Sequence, residues 1–456
     1  MRVFKTMSTL PPGPSEPPAL QTLRWVFRPI AFMESARRRF GDAFSVSFAG
    51  FETPMVMLSH PDVIRDLYTG RDHGLPPGRT FTLRPLLGAR SVLLLEGREH
   101  LDRRRLMLPA FHGERMRAYE SVVREATERE IAAWPTSRPF AIHPSMQAIT
   151  LEVILRAVFG VSDDERRERL RTLLTELLDG TAAPGLQLGV LLARRFGREG
   201  PLAQIAALRA SVDEALAEEI TERRADPLLG EREDILSQLV AARFEDGSGM
   251  DDSELRDQLV TLLVAGHETT ATALAWTFDL LVHHPATLAR LTDELATGDE
   301  QYLRAVISEA LRLRPILPLA GRRLGSELQA GDHLLPPGTD VTPAIWLTNT
   351  RADVYPEPFA FRPERFLENP PETYSWIPFG GGSRRCLGAA FAEFEMRVVL
   401  STVLAQYTLV AGARRPEHAA RRNITLSPRR GTQVIAQRRR RPSVHRPRHV
   451  TVGMPS

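Results

Sequence analysis

Cys386 is the only cysteine in 456 residues, and it sits in Phe379-Gly380-Gly381-Gly382-Ser383-Arg384-Arg385-Cys386-Leu387-Gly388, a glycine-rich turn that leads into an apolar-patterned helix. A lone thiol makes no intrachain disulfide, and structural zinc takes several Cys or His ligands at short spacing, so neither common structural use of cysteine applies. Three readings of the residue remain: a small buried hydrophobe, a nucleophile served by a histidine from elsewhere in the chain, and a thiolate ligand to a metal. The neighbours favour the last. Backbone N–H groups of the turn and of a following helix N-terminus lower a thiol's pKa and stabilise its anion. Glycines admit close approach of backbone to a large flat ligand, and Arg384 offers a fork to a carboxylate. A nucleotide cradle fits less well, because the turn lacks the Lys-Ser/Thr ending of a phosphate loop and the spacing of a dinucleotide fingerprint.

Three other stretches combine chemistry with helical spacing. The first runs from the capping sequence Asp251-Asp252-Ser253-Glu254 to His284 and is stopped by Pro285, which predicts one helix of roughly 50 Å. In its middle lies Ala265-Gly266-His267-Glu268-Thr269-Thr270. Ala265 and Thr269 share a face lined by small residues; taken alone, such hydroxyls commonly bond back to helix carbonyls. The second, Ile307-Ser308-Glu309-Ala310-Leu311-Arg312-Leu313-Arg314-Pro315, sets Glu309 and Arg312 three apart, by default an exposed ion pair worth a few tenths of a kcal/mol. The third runs from Glu96 to Phe111 and places His100 and Arg104 one turn apart, within reach of one anion, although an arginine cluster is ordinarily a solvated face.

Phe379, Gly382, Arg384, Cys386 and Gly388 together resemble the haem-ligand signature of the cytochrome P450 monooxygenases, the type case of axial thiolate ligation that favours O–O cleavage. The resemblance implies haem b (heme b, iron protoporphyrin IX) with Cys386 as the iron ligand and Phe379, Gly380, Gly388 and Ala265 against the cofactor. His100, Arg104, Arg384 and one arginine of Leu319-Ala320-Gly321-Arg322-Arg323, with Arg322 favoured over Arg323, would hold the propionates; the family often has tryptophan where this chain has His100. Glu268 and Thr269 match the acid and alcohol that relay protons to dioxygen, which favours O2 and electrons over peroxide as co-reactants. Glu309 and Arg312, with Arg365 of Pro363-Glu364-Arg365-Phe366, resemble a buried triad that braces the cysteine loop. By family position the substrate pocket would use Phe81 to Leu87, Thr261, Val264, Ala265, Pro318, Ala320 and the variable region from Thr181 to Leu202. These residues are mostly apolar and suit a fatty acid or terpenoid-like molecule.

The activity so implied is insertion of one oxygen atom from O2 into a C–H bond of a lipophilic small molecule. No flavin or iron–sulfur module is expected in the remaining length, so a ferredoxin or flavodoxin with its NAD(P)H-dependent reductase would supply electrons, steered by basic residues such as Arg385. The alternatives are a haem-thiolate isomerase, a peroxygenase, or a non-catalytic haem sensor.

The landmarks follow family order from residue 96 to 388, with a family-like helix and terminal strand pair to about residue 437. The expected fold is mainly α with a smaller β-rich portion, the cytochrome P450 fold, with haem between the long central helix and the cysteine loop. Composition agrees: 43% hydrophobic and 25% charged residues are ordinary globular usage. Helical spacing recurs at Ser121 to Trp134, Ser162 to Leu178 and Ala203 to Arg224, and strand candidates lie at Ala43 to Leu58, Leu324 to Thr342 and Asn423 to Ala436. Length alone suggests two or three domains. Without a Gly/Ser linker, the reading is a Pro-rich lead at 1–20, one catalytic domain at 21–437 and a basic tail at 438–456. Without the six arginines at 438–441, 446 and 448 the formal charge of +3 would be −3, so the basicity is largely a tail property. A solvated, disordered tail is expected there rather than a nucleic-acid site. The chain offers neither the roughly 20 consecutive apolar residues of a membrane span nor a secretory signal. A cytoplasmic monomer that binds no nucleic acid is expected, with Met7 an alternative start to Met1.

Overall fold

The computed structural model describes residues 10–70, 83–113, 115–182, 200–422 and 424–439. Proline opens α1 (Pro18–Phe27), α2 (Pro29–Phe40) and α3 (Pro61–Thr69), where its missing N–H costs nothing. Then come α4 (Gly97–Met107), α5 (Arg115–Ala132), α6 (His143–Val153), α7 (Asp164–Ala182) and α8 (Gly200–Ala225). A π-helical turn, Ile154–Val158, continues α6.

The molecule is organised around α9 (Asp252–His283), 32 residues long. Its start is set by Asp251, whose carboxylate accepts the Glu254 N–H at 2.9 Å. The reciprocal half of the expected capping box does not form, because the Glu254 carboxylate is drawn to Arg103 of α4 at 2.7 Å. Beyond its first turn α9 is apolar on nearly every side, and Leu259, Leu263, Leu274 and Phe278 are fully enclosed, as befits a helix wrapped by others. Helix α6 lies along α9 more extensively than any other element. Pro285 ends the rod and opens α10 (Pro285–Thr297), closed by Gly298 at φ 80°. Helices α11 (Gln301–Leu313) and α12 (Ala389–Gln406) complete the bundle.

The strands form small, separate sheets. In the largest, β1 (Ala43–Val46) and β2 (Met55–Leu58) make a hairpin, β7 (Asp340–Pro343) runs parallel to β2, and the short β4 (Arg322–Arg323) pairs antiparallel with β7. In the second, β3 (Pro139–Ala141) and β8 (Tyr407–Ala411) flank β11 (Gln433–Arg438). Two hairpins remain, β5 (Leu328–Ala330) with β6 (His333–Leu335), and β9 (Ala419–Arg422) with β10 (Thr425–Pro428). A mainly helical chain with a smaller β portion is therefore what the sequence folds into. The expected helices fall within α5, α7 and α8 with shifted ends. The short β3 was not anticipated: its partner at Val434 lies almost three hundred residues away, and no local period marks three residues.

Ile64 and Leu67 of α3 pack with Val341 of β7 and Ile377, which ties the first sheet to the segment just before the cysteine loop. Among the described residues no helix is long and apolar enough to cross a membrane. Because one side-chain acceptor caps the central helix, Asp251→Ala should lower stability by about 1 kcal/mol. A reduced urea midpoint with unchanged slope would record it.

Candidate active site

The cysteine loop is held by its own backbone. Gly380 N–H donates to Ile377 O at 3.0 Å, Cys386 N–H to Phe379 O at 2.9 Å and Arg385 N–H to Gly382 O at 3.1 Å. Gly382 sits at φ 64°, and a Cβ there would lie 2.5 Å from the Tyr68 carbonyl oxygen; a Cβ on Gly381 would enter the Tyr68 ring. The loop is thus pressed against α3, which leaves no room for side chains. Gly388 caps α12 directly after the thiol, and a Cβ there would meet nothing within 4 Å. Cys386 is reachable by solvent yet walled by protein, and burial pushes its thiol up, opposed by the Gly388 N–H, Arg104 and Arg385.

Behind the loop lies a buried ion network. Glu309 accepts from Arg312 Nε at 2.7 Å and Nη2 at 2.9 Å, from Arg365 Nε at 3.0 Å and from the Arg362 N–H at 2.9 Å. Glu309 and Arg312 are fully enclosed and Arg365 nearly so. The terminal guanidinium nitrogens also bond carbonyls: Arg312 to Asn349 at 2.8 Å and Pro358 at 2.7 Å, Arg365 to Pro356 at 3.1 Å. Asn349 then accepts the Ile377 N–H through its side chain at 3.2 Å, and Tyr355, beneath Arg312, donates to Ser375 O at 2.8 Å. A continuous set of hydrogen bonds therefore runs from Glu309 to the first turn of the cysteine loop.

On the other side of the loop stands a cationic wall formed by His100 and Arg104 of α4, Arg322 of β4 and Arg384. Burial, with Arg384, Arg104 and Arg322 close by, brings His100 down to about 4. Burial and then Arg322 bring Arg384 down to about 10, against the pull of Glu96. Arg384 donates to Leu95 O at 2.6 Å through Nη2, while its buried Nη1 has no partner among the described residues. Arg322 is buried over the Tyr68 ring and bonds its neighbour's carbonyl, Gly321 O, at 2.8 Å; the buried Tyr68 hydroxyl has no partner among them either. Arg323, by contrast, turns outward to Asp340 at 3.4 Å, so Arg322 is the inward member of the pair. Buried donors without acceptors are costly. A ligand with a flat body, a site for a thiolate and two carboxylates would complete them, and haem b fits that set.

The central helix contributes a different surface. Ala265 is exposed in the middle of an otherwise enclosed rod. Thr269 is half-buried, and its hydroxyl donates to Ala265 O at 2.5 Å, the backward bond common to such residues. Glu268 points elsewhere, toward α6 and β9: it accepts from Gln147 Nε2 at 2.7 Å and Thr272 Oγ1 at 3.3 Å, with Arg422 Nε at 3.9 Å. Burial raises its pKa, against Arg422, Gln147 and Thr272. Among the expected substrate positions, Leu87 and Pro318 are enclosed in the core, and the buried Thr261 hydroxyl is committed to Asp257 O at 2.6 Å and Ser91 Oγ at 2.7 Å. Val264 and Ala320 are half-buried, while Phe81 and most of the variable region lie outside the described residues. Tyr68, Gln147 and Arg422 carried no motif. Only the Ile64-Leu67-Tyr68 spacing, one buried face of α3, pointed to any of them.

A family model described as Cytochrome P450 matches residues 11–435. The chain belongs to the cytochrome P450 family. This P450 is 40% identical over 438 residues to the relative named cytochrome P450 135B1 in Mycobacterium tuberculosis, covering 93% of this chain and 91% of that one. It is 37% identical over 448 residues to cytochrome P450 138 of the same species, covering 95% and 99%. Among solved structures, retinoic acid bound cyanobacterial CYP120A1 superposes with a TM-score of 0.82 at 24% identity, covering 95% of this chain and all of that one. The cytochrome P450DA heme domain gives 0.81 at 22%, covering 94% and 98%. These two share the fold. Haem-thiolate monooxygenase chemistry is the general activity that family membership brings.

Two outcomes follow for this P450. Glu309→Ala leaves two guanidiniums buried without their anion and should cost about 3–5 kcal/mol; urea unfolding should show the loss, and haem content should fall with it. His143 and His267 are each held at about 4, chiefly by burial, against an ordinary 6.5. Both stay neutral when folded but take up protons when unfolded, so their contribution is full above about pH 6.5 and is lost as pH falls toward 4. Urea midpoints measured across that window should drop, and less steeply in His267→Asn.

Proposed function

We propose that this P450 inserts one oxygen atom from O2 into a C–H bond of a lipophilic small molecule, fatty acid or terpenoid-like, with electrons from a separate ferredoxin or flavodoxin and its NAD(P)H-dependent reductase. The observation that carries this reading is the sole thiol, set at the N-terminus of α12 on a loop braced by Glu309, with unpartnered buried donors two residues away at Arg384. Haem b held by Cys386 would supply the redox chemistry of dioxygen activation, which a thiolate ligand favours.

The chain's own residues do the rest. The Gly388 N–H, Arg104 and Arg385 favour the thiolate form of Cys386. His100, Arg104, Arg322 and Arg384 take the cofactor's carboxylates, and Phe379, Gly380, Gly388 and Ala265 present small or flat surfaces to its ring. Thr269 holds a hydroxyl proton beside Ala265, and Glu268, whose proton affinity burial raises, is the acid that resupplies it. Val264, Ala265 and Ala320 offer no charge to a substrate, which favours an apolar one. Exposed Arg385, beside the thiol, suits an acidic electron donor.

The test is spectroscopic and then chemical. The reduced carbon monoxide complex should show a thiolate-type Soret band that Cys386→Ala abolishes. Product should require NAD(P)H, O2 and a reconstituted ferredoxin or flavodoxin system, and Thr269→Ala should divert reductant into hydrogen peroxide. Product from peroxide alone, isomerised product without reductant, or a ligand-induced spectral change with no product would each replace this reading by the peroxygenase, the isomerase or the sensor.

A further inference from the structure

Glu268 and Thr269 are adjacent in sequence, yet their side chains make no contact: the hydroxyl is turned to Ala265 and the carboxylate to α6. The nearest donor to that carboxylate is neutral. Gln147 Nε2 stands 2.7 Å from Oε2, while the guanidinium of Arg422, on β9, stays 3.9 Å from Oε1. A cation at hydrogen-bond distance would lock the group as an anion, whereas a neutral amide N–H favours the carboxylate only mildly and can still bond the carbonyl of the carboxylic acid. The platform beneath it is firm. Three residues on from Gln147, the Thr150 hydroxyl bridges to His267 Nδ1 at 2.9 Å and His267 O at 3.2 Å, fixing α6 against α9 in this register.

We propose that Gln147 is a positioning residue for proton delivery, holding the Glu268 carboxyl against α6 in either protonation state until the acid turns to the Thr269 hydroxyl. The inference rests on the proton path given under Proposed function. In each delivery the Glu268 O–H bond breaks, Thr269 Oγ1 gains that proton and passes its own into the cleft, and solvent reprotonates Glu268. The groups facing Glu268 come from four elements: Gln147 and His143 of α6, the latter at 3.8 Å; Thr272 and His267 of α9 itself; Arg422 of β9; and Asp179 at the end of α7, which reaches Arg422 at 4.0 Å. His143 and His267 are neutral above pH 5, so Arg422 is the one full positive charge of this set. Asp179 shares it from the exposed side. Gln147 is the closer of the two neutral donors, Thr272 being the other, and can be removed without altering this charge balance.

The experiment uses the holoenzyme with its redox partners and compares Gln147→Leu, Gln147→Lys and Glu268→Gln. Isotope-edited infrared spectroscopy follows the Glu268 carboxyl band, assigned by its loss in Glu268→Gln, and product per NAD(P)H is measured against pH. Gln147→Leu removes a donor to the carboxylate, so the band's midpoint and the alkaline limb of coupling should both move up by about one pH unit. Gln147→Lys adds a cation at the same place and should move both down by a similar amount, with substrate KM unchanged. A merely structural glutamine would not give shifts of opposite sign. If Glu268→Gln uncouples turnover while both Gln147 variants, folded and haem-loaded, keep the parental midpoint and coupling, the role of Gln147 is overturned and the proton path stands. If Glu268→Gln itself leaves coupling untouched, the path falls, and this inference with it.

Discussion

One carboxylate shared by two guanidiniums in a place without water is the interaction on which the rest of the site depends. Taking Glu309, Arg312 and Arg365 out of solvent is expensive, and their mutual attraction recovers that cost only because each guanidinium nitrogen also finds an oxygen acceptor. The carbonyls of Asn349, Pro356 and Pro358 are among these acceptors, so satisfying the arginines fixes the course of an otherwise irregular stretch. That stretch hands the order on to Ser375 and Ile377 and so to the turn that presents Cys386. The network is better understood as a specification of geometry than as a source of net stability.

The cationic wall obeys the opposite logic. Burial and the neighbouring cations lower the proton affinity of His100 and Arg384, and two buried polar groups, Arg384 Nη1 and the neighbouring Tyr68 hydroxyl, find no hydrogen-bond partner among the described residues. The fold holds this strain while the triad pins the loop from behind. An anionic ligand that relieves it stabilises the folded chain by mass action, so cofactor retention and stability are linked.

Local chemistry was legible in the sequence wherever it was written in consecutive residues. The cysteine turn, the Ala265–Thr270 segment, the Asp251 cap and the Pro285 stop each stand where their residue types place them. What was not legible came from distance along the chain. Glu254 is half a capping box by pattern, but Arg103 from another helix outbids the backbone for its carboxylate. Leu87, Thr261 and Pro318 are expected at the pocket by family position; all three are buried, the threonine with its hydroxyl bonded to Ser91, and residue type alone does not say which face a side chain takes. Tyr68 and Gln147 belong to no motif; only packing brings them to the loop and to the acid. For Arg322 against Arg323 the deciding fact was the two-residue strand β4, whose alternation turns one arginine in and the other toward Asp340.

The glycines pressed against Tyr68 carry a consequence for assembly. The ligand turn takes its shape from a helix roughly three hundred residues earlier in the chain, and the sheet beside it joins β2 to β7 across a similar span. Contacts of such separation form late and slowly. The pocket can therefore close only after the segment through Cys386 has left the ribosome, and a chain truncated before α12 would be born without a place to put its iron.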